Sequence, residues 1–365
     1  MKAMVLAGGY ATRLRPISYA LPKLLFPVVG KPMIYWTLDL LKPIGVDEVV
    51  LAVNYLANQL RAEVGNNHDG IKIEYSLEEV PLGTGGPIKL ASARTHFDER
   101  FVVTNGDVIA SIELGKMLKH HEETGALITD ALYEVKDPAR FGVAQLDGDG
   151  RIRRFVEKPK AREAPSRLVN AGIYVIEPEV LKMIPPNRKV SLEREIFPLL
   201  VKAGKLSGFP FSGDWFDIGS FTDYQMANFS LLEKHVKGST SQNDNANLAE
   251  SAVVRPPVVF GAGSRIKSGA AVGPRVIAGK NTLVESKARI GSSILFDNVS
   301  LGQDSVVSGA ILAVGVKVGR EVRIAPGSII SPYVQIHDGV KIGRNAIVHP
   351  YKEIESSIRS GTNVM

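Results

Sequence analysis

The chain has 365 residues, enough for two domains and more than a single small core holds. Its 44% hydrophobic and 22% charged residues describe an ordinary globular protein and exclude a disordered one. The absence of cysteine excludes disulfides, thiolate-bound zinc and thiol catalysis, and the net charge of +6 is dispersed without a Lys/Arg run, which argues against a nucleic-acid partner.

In chain order, the first element is the apolar run Ala3 to Ala7, ended at once by Gly8-Gly9. This is the pattern of a buried parallel strand running into a turn. The run is too short and too early for a signal-peptide core, and no later stretch is long enough to span a bilayer. The expectation is a cytoplasmic protein with no membrane partner. Thr12, Arg13 and Arg15 follow the glycines, then Lys23. A strand feeding a glycine turn with cations just downstream is how α/β folds build a phosphate cradle. The spacing is neither G-x-G-x-x-G nor G-x-x-x-x-G-K-[ST], so the dinucleotide and P-loop readings both fail.

Up to about Lys234, strand-type and helix-type segments alternate. Val49 to Val53, Ile71 to Tyr75, Phe101 to Thr104 and Ala126 to Tyr133 read as strands, and Ile34 to Leu41 and Leu114 to Thr124 as helices. Such alternation predicts a mostly parallel sheet whose ligands bind at the carboxyl ends of strands. Residues just beyond apolar runs therefore carry weight. Glu78 and Glu79 precede a glycine-rich loop, Pro81 to Pro87, whose glycines suit either close approach of backbone to a flat ligand or a plain surface turn, and the acidic pair either accepts hydrogen bonds there or faces water. Asp107 lies just past Phe101-Val102-Val103-Thr104, a place that also suits a turn cap. Gly142 follows Phe141, Glu157-Lys158 stands in R-F-V-E-K-P, and Asn170 and Gly172 lie in V-N-A-G-I-Y. Asp217 sits between Trp215-Phe216 and Ile218, where a carboxylate needs a cation or hydrogen bonds. Two such carboxylates on separate strand ends can share one Mg2+, which takes oxygen ligands and keeps phosphate oxygens in its shell.

Lys237 to Ser251 is polar and small and reads as a linker. Beyond it, Phe260, Ile266, Val272, Ala278, Val284, Ile290 and Phe296 recur every six residues; the register slips and resumes at Val306, Leu312, Val318, Ile324, Ile330, Ile336, Ile342 and Val348. This period predicts a parallel β-helix, with the slip between Phe296 and Val306 a protruding loop. A β-helix acyltransferase would need a histidine base; His337 and His349 are the histidines of this region, and nothing near them resembles a pantetheine-binding loop.

Gly8-Gly9-Tyr10-Ala11-Thr12-Arg13-Leu14-Arg15-Pro16, with Pro22-Lys23-Leu24-Leu25-Phe26-Pro27-Val28, closely resembles the signature of the sugar-nucleotide pyrophosphorylases, or NDP-sugar nucleotidyltransferases. Ala11 departs from it, since glycine is usual there. The resemblance extends over the whole chain. It implies a Rossmann-like mixed-sheet catalytic domain over 1–236, a linker over 237–252, and a left-handed parallel β-helix of hexapeptide repeats over 253–365 that carries homo-oligomer contacts. The implied reaction joins an NTP and a sugar 1-phosphate into an NDP-sugar and pyrophosphate with Mg2+. The implied nucleotide site is Leu6, Ala7, Gly8, Gly9, Thr12, Arg13, Lys23, Glu78, Pro81, Gly83, Thr84 and Asp107. The implied sugar site is Gly142, Glu157, Lys158, Asn170 and Gly172, and the metal ligands are Asp107 and Asp217. Catalysis falls to Arg13, Lys23, Asp107, Lys158 and Asp217, by positioning and charge neutralisation without a covalent protein nucleophile. The loop E-E-x-P-L-G-T-x-G-P and the short end at Met365 are similar to those of the GDP-mannose-forming members, which implies GTP and mannose 1-phosphate. Glucose-1-phosphate uridylyl- or thymidylyltransferases share every phosphate motif. A non-catalytic subunit that senses sugar nucleotides keeps the same fold, but the presence of Lys23, Asp107 and Asp217 speaks against it.

Overall fold

Lys2–Leu6 is an inner strand of a ten-stranded sheet, and its middle residues Ala3, Met4 and Val5 are fully buried. A run without polar alternation requires such burial on both faces. The computed structural model describes residues 1–54, 56–236, 240–242 and 246–365. They form two compact units: Met1–Tyr10 with Met33–Ile218, and Ala11–Pro32 with Gly219–Met365.

In the first unit, Lys2–Leu6 pairs in parallel with Glu48–Val53 on one side and Phe101–Asn105 on the other, and Glu48–Val53 pairs in parallel with Ile71–Leu77. The strands and helices expected from periodicity are present, the helices as Met33–Leu41 and Leu114–Thr124. The sheet is mixed, however, as befits a Rossmann-like nucleotidyltransferase: beyond this half, Leu206–Phe211 still pairs in parallel with Ile128–Glu134, but the other pairings there are antiparallel. Leu168–Ile176 runs antiparallel to Phe101–Asn105, Ile128–Glu134 and Gly142–Leu146, and Gly142–Leu146 runs antiparallel to Ile152–Glu157. The turn between those last two strands is too short for the crossover a parallel pair needs. A separate antiparallel ribbon joins Val108–Ala110 to Trp215–Asp217.

The second unit holds the left-handed β-helix, three sheets of eight, seven and six short strands. Val258 pairs with Val276, 18 residues on, so each full coil carries three hexapeptides. The slip in the repeat is not a protruding loop. Ile277 pairs with Ile294 and Ile294 with Ile311, each 17 residues on, so two successive coils are one residue short at a corner. Leu295 and Val307, not Phe296 and Val306, therefore belong to the inner row. Phe296 is buried elsewhere, edge-on to Phe26 at 5.7 Å and to Tyr224 at 6.2 Å. That aromatic cluster ties the segment Ala11–Pro32 into this unit. The Val29 N–H donates to Asn228 Oδ1 at 2.9 Å, and the Tyr224 hydroxyl donates to the Pro27 carbonyl, both from the helix Phe221–Val236.

The stretch 237–252, expected as a linker, is in part the first coil. Thr240–Gln242 pairs with Val258–Phe260 and Asn247–Leu248 with Arg265–Ile266; residues 237–239 and 243–245 of that expectation lie outside the described residues. Its polar composition suits a terminal repeat, whose outer side faces no further coil. Among the described residues, no helix is long and apolar enough to cross a membrane.

Candidate active site

The glycine turn closes over a buried carboxylate. The Ala7 N–H donates to the Ala52 carbonyl at 2.8 Å, the ladder ends, and Gly8 passes directly above Glu78. A Cβ at position 8 would stand 2.1 Å from Glu78 Oε1, so any side chain there has to displace the carboxylate. The other oxygen, Oε2, accepts the Leu82 N–H at 3.0 Å and so anchors the Pro81–Pro87 loop. Burial raises the pKa of Glu78 above the ordinary glutamate value, and the Leu82 hydrogen bond opposes the shift. The acidic pair divides: Glu78 is buried and Glu79 exposed.

Asp107 follows the strand Phe101–Asn105 and Asp217 ends the ribbon strand Trp215–Asp217. Asp217 is in register with Val108, and the Ile218 N–H donates to the Asp107 carbonyl at 3.0 Å. The two half-buried aspartates are thus held at adjoining positions of one antiparallel ribbon. Carboxylate oxygens on neighbouring strands are the hard donors a divalent cation takes, so this pair fits a metal ion.

Asn170 and Gly172 form a bulge in the strand Leu168–Ile176, where pairing with Ile128–Glu134 shifts register between Asn170 and Tyr174. Asn170 Oδ1 accepts the Gly172 N–H at 2.7 Å. Gly172 has φ +76°, and a Cβ there would meet Asn105 Nδ2 at 2.5 Å. The Trp215 indole N–H donates to the Ala171 carbonyl at 3.0 Å, which brings the aspartate ribbon against this bulge. Gly142 lies in register with Glu157. Lys158, at φ +50°, leaves the strand end with its N–H on the Phe141 carbonyl; its Nζ is 3.7 Å from Glu157 Oε1 and its side chain 60% exposed. Burial chiefly raises the Glu157 pKa, helped by the negative charge of Glu193 and opposed by Lys158 and Arg194.

Sequence reasoning missed Glu193, which joins the Pro81–Pro87 loop to the bulged strand Leu168–Ile176. It lies in a short π-helical turn, Leu192–Ile196. Its Oε2 accepts the hydroxyls of Thr84 at 2.7 Å and Ser191 at 2.6 Å, and its Oε1 the Tyr174 hydroxyl at 3.3 Å. Tyr174 in turn accepts from Asn170 Nδ2 at 2.9 Å. The only signal was Ser191-Leu192-Glu193-Arg194-Glu195, which reads as an ordinary helix start.

Thr12, Arg13 and Lys23 belong to the second unit, on the 3-10 turns Thr12–Leu14 and Lys23–Leu25. The Arg13 guanidinium lies so close to Gly219 that a Cβ there would be 2.7 Å from Nη2. Ala11 takes the left-handed conformation, φ 46° and ψ 43°, and its carbonyl accepts the Leu14 N–H at 2.9 Å and the Ser18 hydroxyl at 3.0 Å.

Such a sheet, with a glycine turn at its middle and paired aspartates beside a bulged strand, has the architecture of an α/β enzyme that handles phosphorylated ligands. Residues 2–234 match the family described as Nucleotidyl transferase, and residues 253–364 match the GMPPB C-terminal domain. The chain belongs to the nucleotidyl transferase family. It is 38% identical over 290 residues to a probable mannose-1-phosphate guanylyltransferase 2 of Arabidopsis thaliana, covering 74% of this chain and 79% of that relative. A putative mannose-1-phosphate guanyltransferase of Sulfolobus acidocaldarius is 38% identical over 271 residues, 74% of this chain and 73% of its own length. Among solved structures, a putative glucose-1-phosphate thymidylyltransferase from Bacillus anthracis, in complex with a sucrose, superposes with a TM-score of 0.58 at 28% identity, over 62% of this chain and 94% of that one. Nucleotidyl transferases of this kind generally use a divalent metal ion.

Proposed function

We propose that this protein transfers a guanylyl group from GTP to mannose 1-phosphate, giving GDP-mannose and pyrophosphate. The observation that carries the reaction is the Trp215–Ala171 hydrogen bond, which sets the aspartate ribbon against the bulged strand assigned to the sugar. The relatives' names supply the substrates.

In this reading a phosphate oxygen of mannose 1-phosphate attacks the α-phosphorus of GTP. The bond from that phosphorus to the bridging oxygen breaks, and pyrophosphate leaves. Asp107 and Asp217 would hold Mg2+, which when bound neutralises phosphate oxygens and draws the two anions together. The exposed Lys158 ammonium steers the sugar phosphate, while Glu157, Asn170, Gly172 and Gly142 line the sugar. Leu6, Ala7, Gly8 and Gly9 carry the nucleotide, and the loop of Pro81, Gly83 and Thr84, anchored by Glu78, edges its base. Thr12, Arg13 and Lys23 are assigned to the NTP phosphates and the leaving pyrophosphate. The β-helix is assigned to self-association, which sedimentation of the full chain reads directly.

Pyrophosphate release measured with ATP, GTP, UTP and dTTP against mannose and glucose 1-phosphates tests the substrates. The expected result is the highest kcat/KM for GTP with mannose 1-phosphate. A preference for glucose 1-phosphate with UTP or dTTP would replace this reading with the one suggested by the Bacillus anthracis neighbour.

A further inference from the structure

One flank of the β-helix carries a groove of about 560 Å³, within the size range of small-molecule sites. Its charged lining is cationic throughout: Arg323, Lys341 and Arg359 border it and no carboxylate does. Arg323 and Lys341 are register partners on adjacent parallel strands, so their side chains leave the sheet about 5 Å apart. Like charges placed opposite one another destabilise a sheet. Among the described residues nothing offsets them, since no side-chain hydrogen bond or ion pair there engages Arg323, Lys341 or Arg359. Elsewhere the same β-helix does match its charges: Arg320 Nη2 stands 2.9 Å from Asp338 Oδ2.

Two hydroxyls adjoin the cations. Ser357 Oγ accepts the Lys341 N–H at 3.0 Å and Ser360 Oγ accepts the Arg344 N–H at 3.1 Å. Their hydroxyl protons have no acceptor among the described residues and remain available to an anion. The groove exists because the sheet holding this column ends at Lys341–Ile342. The last coil meets it through a single bridge, Ile342 to Ile358, 16 residues on instead of 18. Val306 and Ile358 give the groove an apolar part.

We propose that this groove binds a phosphate ester: Arg323, Lys341, Arg359 and the two serine hydroxyls hold the phosphate, and Val306 and Ile358 take the organic body. Arginine matches phosphate oxygens in pairs and lysine adds a point charge. The site is independent of the substrates assigned above.

Isothermal titration of the full-length protein with inorganic phosphate, a hexose phosphate and a nucleoside monophosphate tests it against the double variant Arg323→Gln/Lys341→Gln. The wild type is expected to bind one more equivalent of ester than the variant, or to bind that equivalent at least tenfold more tightly, with pyrophosphate release at saturating substrate the same in both. Thermal unfolding gives a second readout, because a ligand bound to the folded state raises Tm. The ester should raise the wild-type Tm more than the variant's. Hexose and nucleoside arms identify the organic body. Inorganic phosphate binding as tightly as both esters would overturn the role of the apolar part, and equal stoichiometry with equal Tm shifts in the two proteins would overturn the site.

Discussion

The Ile218 backbone N–H donates to the Asp107 carbonyl at 3.0 Å, and this bond sets the spacing of Asp107 and Asp217. Because this constraint is carried by the main chain, it survives a change of either carboxylate. Asp107→Asn and Asp217→Asn should each lower pyrophosphate release roughly a thousandfold, in line with the loss of a charge-stabilising group, while Tm stays within a few degrees of wild type. Near-normal turnover in both variants would remove the metal assignment.

Gly8 and Glu78 make a second pair. An added methyl at Gly8 would stand 2.1 Å from Oε1 and must push the carboxylate off the Leu82 N–H. Leaving the half-buried Leu82 N–H unsatisfied costs up to about 1–3 kcal/mol, and the Pro81–Pro87 loop loses its anchor. Gly8→Ala should therefore raise KM for the NTP more than KM for the sugar 1-phosphate. Steady-state kinetics in each substrate separate the two, and an unchanged NTP KM would contradict the role given to Glu78.

The apolar runs and glycine punctuation made the first four parallel-sheet elements and the glycine turn after the first of them legible, since burial on both faces leaves its mark in composition. Phe296 was misplaced because hydrophobicity marks a residue as buried without saying in which core. Its ring belongs with Phe26 and Tyr224, and the inner row passes to Leu295. The grouping of Arg13 and Lys23 with the C-terminal unit was invisible for a related reason: it rests on contacts such as Val29 to Asn228, distant in sequence. Glu193 was hidden because nothing local distinguishes a carboxylate that collects three hydroxyls from one on a solvated helix.

Those three hydroxyls give Glu193 a measurable role. Thr84, on the loop assigned to the base, and Tyr174, on the strand assigned to the sugar, both donate to it. Glu193→Ala should raise KM for both substrates together, whereas Thr84→Val, which also strands the Leu192 N–H bonded to Thr84 Oγ1 at 2.9 Å, should act mainly on the NTP. If Glu193→Ala affected neither KM, the link between loop and strand would be only structural.

Ala11 holds a left-handed conformation that glycine adopts freely. The penalty for a side chain there is about 1–2 kcal/mol, partly offset because glycine loses more freedom on folding. Ala11→Gly should therefore stabilise the protein by up to about 1 kcal/mol, seen as a higher denaturant midpoint at unchanged slope. A lower midpoint would mean that the Ala11 methyl makes a compensating contact.

Asp130 is fully buried in register with Tyr174, and both of its carboxylate oxygens lack a hydrogen-bond partner among the described residues. Burial, and next the negative charge of Glu193, push its pKa well above the ordinary aspartate value. The folded chain therefore keeps a proton that the unfolded chain releases near pH 4. Below that pH both states are protonated and Asp130 costs nothing through ionisation. As pH rises, the unfolded state is favoured by about 1.4 kcal/mol per unit until the folded carboxyl ionises. Asp130→Asn keeps the shape and removes the titration, so its stability advantage over wild type should be small at pH 4 and widen steadily toward neutrality. Denaturant midpoints for the two proteins across that range read the difference directly, and parallel curves would show that Asp130 ionises as it does in water.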